Sequence, residues 1–389
     1  MSPRKKIAVV TGSRAEYGLL YWVLHELHAA PDIELQLIVT GMHLAAEFGF
    51  TVREIEKDGF PIARRVEMLL SSDSAGGIAK SMALGLIGLS EALEQLHPDL
   101  VLVLGDRFEI LAAAQAALVH NIPLAHIAGG DTTEGAFDES MRHAITKMAH
   151  LHLVTNALSA RRVRQLGEDP ARIHVVGNPG LDHLRRRPTL DRAALEQALG
   201  APLGQRNLLI TFHPVTLEAS HAERQQAELL AALEQQSAGT TLWFTRPNAD
   251  TGGRALGAAL EAWASARPNA HVFASLGHLR YLSLMSHANA VVGNSSSGLY
   301  EAPSFKVPTV NIGDRQRGRS AAGSVLHCAP ERQAILAALD KAATLDCSAV
   351  VNPYGDGTAA PRIVEALRRL PSGAAVLKKT FHLIEAAHG

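Results

Sequence analysis

Three aspartates stand where this chain leaves an apolar run or opens a helix soon after one. Asp106 follows Leu100 to Leu104, the most hydrophobic run in the sequence, and Asp131 follows Ile122 to Ile127. Asp138 opens a helical pattern that continues through Arg142. A carboxylate at the end of a buried strand is costly without a partner, and Arg107 is next to Asp106. Carboxylates converging at strand ends could act as general acid and base at a carbon of a bound substrate. Asp138 and Arg142 are four apart on one helix face, so a plain ion pair also accounts for them.

A second set of residues suits phosphate. Gly293-Asn294-Ser295-Ser296-Ser297-Gly298 follows an apolar run and precedes a helical one. Small residues there admit a ligand to the backbone, and a helix start favours an anion. A serine-rich N-cap turn reads the same way, and no lysine follows the second glycine, so this is not a nucleotide P-loop. Arg14, in Thr11-Gly12-Ser13-Arg14-Ala15-Glu16, could fork onto a diphosphate or simply pair with Glu16 on the surface. His213 directly follows the run ending at Phe212, a position suited to a site histidine as well as to a structural one. Arg315, Arg317 and Arg319 form either a phosphate loop or a solvated basic turn. No HExxH or CxxC spacing occurs, so no catalytic metal is expected.

The elements that must hold these residues read as strand, turn and helix in alternation. Lys6 to Val10, Glu34 to Thr40, Leu100 to Leu104 and Ile122 to Ile127 read as strands in the first half. Helices are expected over Tyr17 to Ala29, Ser81 to Leu96, the stretch ending at Val119, and from Asp138. The pattern restarts with strands at Asn207 to Phe212, Thr241 to Thr245, His271 to Phe273, Ala290 to Val292 and Thr309 to Ile312. A helix over Leu217 to Gln236 separates the first two. Such alternation predicts an α/β protein of two Rossmann-like domains with parallel sheets. The expected boundaries are 1–180 with about 365–389 for the first domain and 181–364 for the second, joined through a stretch holding Pro179, Pro188 and Pro202. Open parallel sheets bind ligands beyond the carboxyl ends of their strands, where every polar cluster above lies. Two such edges facing a cleft would suit a nucleotide-sugar.

Bulk properties narrow the class. The 389 residues carry 37 basic and 38 acidic side chains, net charge -1, which gives no electrostatic case for nucleic acid. Hydrophobic content of 47% with 19% charged residues is that of an ordinary globular protein. No stretch approaches the roughly 18 apolar residues of a spanning helix, so no membrane partner is expected. Ile7 to Val10 is too short for a signal-peptide core. Cys328 and Cys347 read as free thiols of a reducing cytoplasm.

The motifs TGSRAEYG, GDRFE, HIAGGDTTEGAFDESMRHAITKMAHLH, VVGNPGLD, TFHPVT, TRPNAD, VVGNSSSGLYEAP, NIGDRQRGR and NPYGDG together resemble the hydrolysing NDP-N-acetylglucosamine 2-epimerases, most closely the sialic-acid and legionaminic-acid branch. The resemblance runs from about residue 6 to 370, in family order and spacing. It implies a fold of the glycosyltransferase-B/phosphorylase type, a homodimer and no cofactor. The implied reaction removes the C2 proton of UDP-N-acetylglucosamine, expels UDP from C1 to give 2-acetamidoglucal, and adds water to release N-acetylmannosamine. By the same resemblance Asp106 and Asp138 match catalytic acids and Arg142 orients Asp138. Arg14 and His213 meet the phosphates, and Asn248, Ser295, Ser296, Ser297, Gly298, Glu301 and Arg315 hold the nucleotide. One position departs. The family pattern of histidine, apolar residue, glutamate before Gly-Gly reads His126-Ile127-Ala128 here. Either Asp131 takes over part of the acid/base work, or the substrate differs, the alternative being a GDP-linked 2,4-diacetamido-trideoxyhexose. A glycosyltransferase of the same fold and a non-catalytic nucleotide-sugar binder are the competing classes.

Overall fold

A computed structural model of the chain describes residues 4–72, 74–132, 137–213, 222–246, 253–371 and 373–384, without the side chains of 253–255 and 374. The chain divides into two units: Met1–Arg185 with Tyr354–Gly389, and Arg186–Pro353.

The first unit is built on β1 (Lys5–Thr11), β2 (Ile33–Thr40), β3 (Ile62–Val66), β4 (Leu100–Leu104), β5 (Leu124–Ile127), β6 (Leu151–Val154) and β7 (Ile173–Val175). All pairings are parallel, in the order β3-β2-β1-β4-β5-β6-β7. β4 is buried along its whole length, as a strand covered on both faces must be. Alternate residues feed two cores. Ile7, Val9, Leu100 and Leu102 meet the helices Arg14–Ala29 and Ala359–Arg369, while Ala8, Val10, Val101 and Val103 meet Ala75–Leu96 and Phe108–Val119.

The second unit repeats the plan with β8 (Arg206–Thr211), β9 (Thr240–Thr245), β10 (Ala270–Phe273), β11 (Ala290–Gly293), β12 (Thr309–Ile312) and β13 (Val325–Cys328). Its order is β10-β9-β8-β11-β12-β13, again all parallel. The expected two parallel α/β sheets are therefore present. β3, β6, β7 and β13 were not among the expected strands.

The chain rejoins the first unit at Tyr354 rather than near residue 365. The reason lies in the backbone. Asn178 donates its N–H to the Tyr354 carbonyl at 2.7 Å, and the buried Asp182 carboxylate accepts from the N–H groups of Ala359 and Ala360, each at 2.8 Å. Asp182 thus fixes the start of the returning helix, and its Ile363, Val364 and Leu367 complete the first core.

Each sheet runs outward in both directions from one central strand pair, β1 beside β4 and β8 beside β11. Loops leaving such a pair go to opposite faces and open a crevice at the carboxyl edge. Gly12 to Arg14 and Gly105 to Arg107 leave the first pair, and His213 and Asn294 to Gly298 leave the second.

Candidate active site

Within the first unit the aspartates are tied together by Arg142. Arg142 sits one turn into the helix Asp138–Met148, with only 7% of its surface exposed. Its Nη2 pairs with Asp106 Oδ2, and its Nη1 donates to the Asp131 carbonyl at 2.7 Å. The sequence pointed Arg142 at Asp138; the fold turns its ion pair onto Asp106, 36 residues away. Asp138 lies close enough to feel both groups. Burial and the negative charge of Asp106 push its carboxyl above the usual range, against the positive charges of Arg107 and Arg142.

Asp131 is placed differently. Its Oδ1 accepts from Thr155 Oγ1 at 2.6 Å and from Ser159 Oγ at 2.5 Å. The residue thereby pins the loop after β5 to the end of β6 and the start of the helix that follows. Ala128, at the same edge, takes φ of 63° in the left-handed region, where a Cβ is strained. Its N–H is held by the Leu153 carbonyl at 3.0 Å.

His126 was missed as a site residue. It is fully buried on β5, and burial lowers its pKa to about 3. The neutral ring can donate from Nε2 to the Gly105 carbonyl, 2.7 Å away, and its Nδ1 lies 3.2 Å from the Thr146 hydroxyl. The residue before Asp106 and the helix carrying Arg142 are thereby referred to one ring.

Arg14 opens the helix after β1 and is 73% exposed at its side chain, paired with Glu54 at 3.3 Å. The expected surface partner, Glu16, points inward and is 5% exposed. The structure brings the buried acids Glu16 and Glu109 together beside the half-buried Arg107, a burial that their helix-start positions did not reveal.

In the second unit the loop after β11 is a knot. Asn294, 1% exposed, accepts from the His213 N–H at 2.7 Å and donates to the His213 carbonyl at 2.8 Å. The Asn294 carbonyl receives Arg315 Nη1 at 3.1 Å and Gln316 Nε2 at 2.8 Å. Loops from β8, β11 and β12 therefore meet at one asparagine. A cavity of about 630 Å³ opens beside them, lined among others by Asn294, Asn311, Arg315, Arg319 and His327.

The serine turn departs from its sequence reading in two ways. The helix beyond it is the single turn Ser297–Tyr300, so little helix dipole is available and the hydroxyls are the donors on offer. Ser297 Oγ lies 2.6 Å from Tyr281 Oη and 3.2 Å from Ser295 Oγ, and Ser295, Ser296 and Ser297 are partly exposed. Gly298 is small for packing rather than for a ligand: a Cβ there would meet Thr309 Cγ2 at 2.6 Å. Glu301 follows, with burial raising its pKa to about 7 and, among the described residues, no partner for Oε2. Asn248 lies outside the described residues. Among those described, no cluster of His, Cys, Asp or Glu could hold a metal ion, and no helix is long and apolar enough to cross a membrane.

Two doubly wound units with polar loops at their strand switch points define a protein of the glycosyltransferase-B-like α/β class. Within that class, the UDP-N-acetylglucosamine 2-epimerase family profile matches residues 25–368, and the chain belongs to that family. It is 41% identical over 317 residues to a "GDP/UDP-N,N'-diacetylbacillosamine 2-epimerase (hydrolyzing)" of Campylobacter jejuni, covering 81% of this chain and 82% of that one. It is 36% identical to a "UDP-N,N'-diacetylbacillosamine 2-epimerase (hydrolyzing)" of Legionella pneumophila, covering 96% and 98%. A "UDP-N-acetylglucosamine 2-epimerase" of Neisseria meningitidis serogroup B is 33% identical, covering 88% of each. The fold matches the crystal structure of UDP-GlcNAc 2-epimerase from Neisseria meningitidis bound to UDP-GlcNAc, with a TM-score of 0.75 at 21% identity over 94% of this chain and 100% of that one.

Proposed function

We propose that the protein is a hydrolysing 2-epimerase of a nucleotide-linked 2,4-diacetamido-2,4,6-trideoxyhexose. The observation that carries the reaction type is the Asp106–Arg142 ion pair with the raised carboxyl of Asp138 beside it, at the switch point of the first sheet. A carboxyl poised above its ordinary range can exchange a proton with carbon, while the neighbouring one paired with Arg142 can take the complementary step. A carboxylate removes the proton from C2 and the C1–O bond breaks, so the nucleoside diphosphate leaves with the bonding pair. Water then adds its oxygen to C1 of the resulting glycal, and a proton returns to C2 on the opposite face. Free 2-epimerised sugar and nucleoside diphosphate are the products.

Asp106 and Asp138 are the acid/base pair in this reading, Arg142 orients Asp106, and Asp131 holds the loop after β5. In the second unit His213, Ser295, Ser296, Ser297, Glu301 and Arg315 receive the nucleotide, joined by Asn248. The diacetamido sugar is favoured because two of the relatives, at 41% and 36% identity, are named for it. UDP-N-acetylglucosamine is the second reading, supported by the relative at 33% identity.

Incubation of the purified protein in deuterium oxide with UDP-N,N'-diacetylbacillosamine, its GDP counterpart and UDP-N-acetylglucosamine tests both readings. Nucleoside diphosphate release with deuterium at C2 of the free sugar is expected, fastest for a diacetamido substrate. Release only upon adding an acceptor sugar would make the protein a transferase. Binding without turnover of all three would make it a sugar-nucleotide sensor.

A further inference from the structure

Glu109 is a carboxylate with no exposed surface in the first turn of the helix Phe108–Val119, and Glu16 beside it is 5% exposed. The fold is shaped around Glu109. A Cβ on Gly12 would meet Glu109 Cβ at 3.2 Å, and one on Gly41 would meet Oε1 at 3.0 Å and the Gly12 carbonyl at 2.8 Å. Gly41 also holds φ of 57°. Loops after β1 and β2 thus make room for a group that an apolar core would exclude.

Its hydrogen-bond partner is Arg107, whose Nη2 donates to Oε1 at 2.9 Å and lies 3.7 Å from Met42 Sδ. Among the described residues Glu109 Oε2, Arg107 Nε and both Glu16 oxygens have no hydrogen-bond partner of good geometry, although Gly12 and Thr11 lie near Glu16. Burial, and after it the charge of Glu109, push the Glu16 carboxyl well above its usual range. The neighbouring His43 is driven the other way, to about 4, by burial. His43 is therefore uncharged at neutral pH, Glu16 is pushed toward its protonated form, and Glu109 pairs with the half-buried Arg107. A buried pair contributes little net stability, since an apolar residue of similar volume does as well. What it contributes is the place of the Arg107 charge, which bears on Asp138 against Asp106 and alongside Arg142.

We propose that Glu109 is a positioning residue of the active site, anchoring the Arg107 guanidinium so that its charge acts on Asp138. This inference rests on the reading of Asp138 as an acid/base group. It is tested by the pH dependence of kcat/KM for nucleoside diphosphate release, using whichever of the three nucleotide-sugars named above turns over fastest. Glu109→Gln keeps the shape and removes the anchor, so the limb reporting ionisation of Asp138 should move up by about half a pH unit or more. Arg107→Gln should give a similar shift, and the double variant no further one, because the two act in series. Glu109→Asp should recover part of the difference.

A Glu109→Gln profile superimposed on the wild-type one, with Asp138→Asn inactive, overturns the positioning role and leaves the Asp138 reading intact. Wild-type turnover in Asp138→Asn overturns both. If Glu109→Gln fails to fold, Arg107→Gln decides, since the Arg107 side chain is 34% exposed and its loss is easier for the fold to bear. An unshifted limb there also overturns the role.

Discussion

Asn294 brackets the backbone of His213, taking its N–H at 2.7 Å and returning a hydrogen bond to its carbonyl at 2.8 Å. Both groups are buried, so neither has water to fall back on. Asn294→Ala should lower stability by about 2–4 kcal/mol, the cost of leaving a buried donor and acceptor unmade. Thermal unfolding of the full chain measures it. UDP affinity should fall with it, because the His213 loop loses its tie to the loop after β11, while Arg315 and Gln316 keep their bonds to the Asn294 main-chain carbonyl. An unfolding midpoint within a degree of wild type contradicts the bracket.

Asp138→Asn should reduce kcat by about 10²- to 10⁴-fold, the range of a general acid or base. UDP binding, followed by calorimetry, should stay close to wild type. Loss of binding and folding together would mark Asp138 as structural. Because burial and Asp106 raise its carboxyl, the rising limb of activity against pH should lie above the ordinary carboxylate range.

Arg142→Ala removes the cation from the Asp106 carboxylate, whose side chain is 19% exposed, and from the Asp131 carbonyl. A loss of about 3 kcal/mol is expected in urea unfolding, with turnover abolished. Arg142→Lys restores the charge but not the two-pronged contact, so stability should return further than activity. Equal recovery of both would show that charge alone matters.

Glu301 titrates near 7 in the folded protein because of burial, above its unfolded value near 4.5. The folded state therefore holds the proton more tightly. That stabilisation is complete below about pH 4.5 and is lost as pH rises through about 7. Glu301→Gln should remove this decline, making the variant more stable than wild type at pH 8 by about 1–3 kcal/mol. Parallel melting curves from pH 5 to about pH 8 for both proteins would contradict the shift.

Ala128 occupies the left-handed region at φ of 63°. Ala128→Gly relieves strain of about 1–2 kcal/mol but adds about 0.5–1 kcal/mol of unfolded-state entropy, so a net gain of up to about 1.5 kcal/mol is expected. A lower melting temperature in the glycine variant contradicts the strain.

The strands legible in the sequence were those with unbroken apolar runs. β3 reads Ile-Ala-Arg-Arg-Val at a sheet edge, and edge strands carry charge that hides them. β6, β7 and β13 read Leu-His-Leu-Val, Ile-His-Val and Val-Leu-His-Cys, each with a histidine interrupting its apolar residues, so no unbroken run marks them. The site was legible where it depends on position along the chain: Asp106, His213 and Ser295 all follow strands, as expected. It was not legible where it depends on partners far apart in sequence. Arg142 has a nearer acid at Asp138, and nothing local says that Asp106 is its ion-pair partner. Glu16 and Glu109 look like ordinary acids of a first helical turn, since the sequence carries no sign of the glycines that enclose them. Asn294 looks like one polar residue among serines.

The returning helix Ala359–Arg369 sets an order of manufacture. Residues 186–353 form a contiguous unit whose sheet is complete once they have left the ribosome. The first unit is not contiguous. Until Ile363, Val364 and Leu367 are synthesised, Leu20, Leu24 and Leu27 lack part of their cover. The half of the protein made first is thus the half finished last, with its apolar flank open to chaperones throughout synthesis of the other. A chain stopped before Tyr354 should strand the first unit in that unfinished state and go to aggregates, while the second unit keeps its fold.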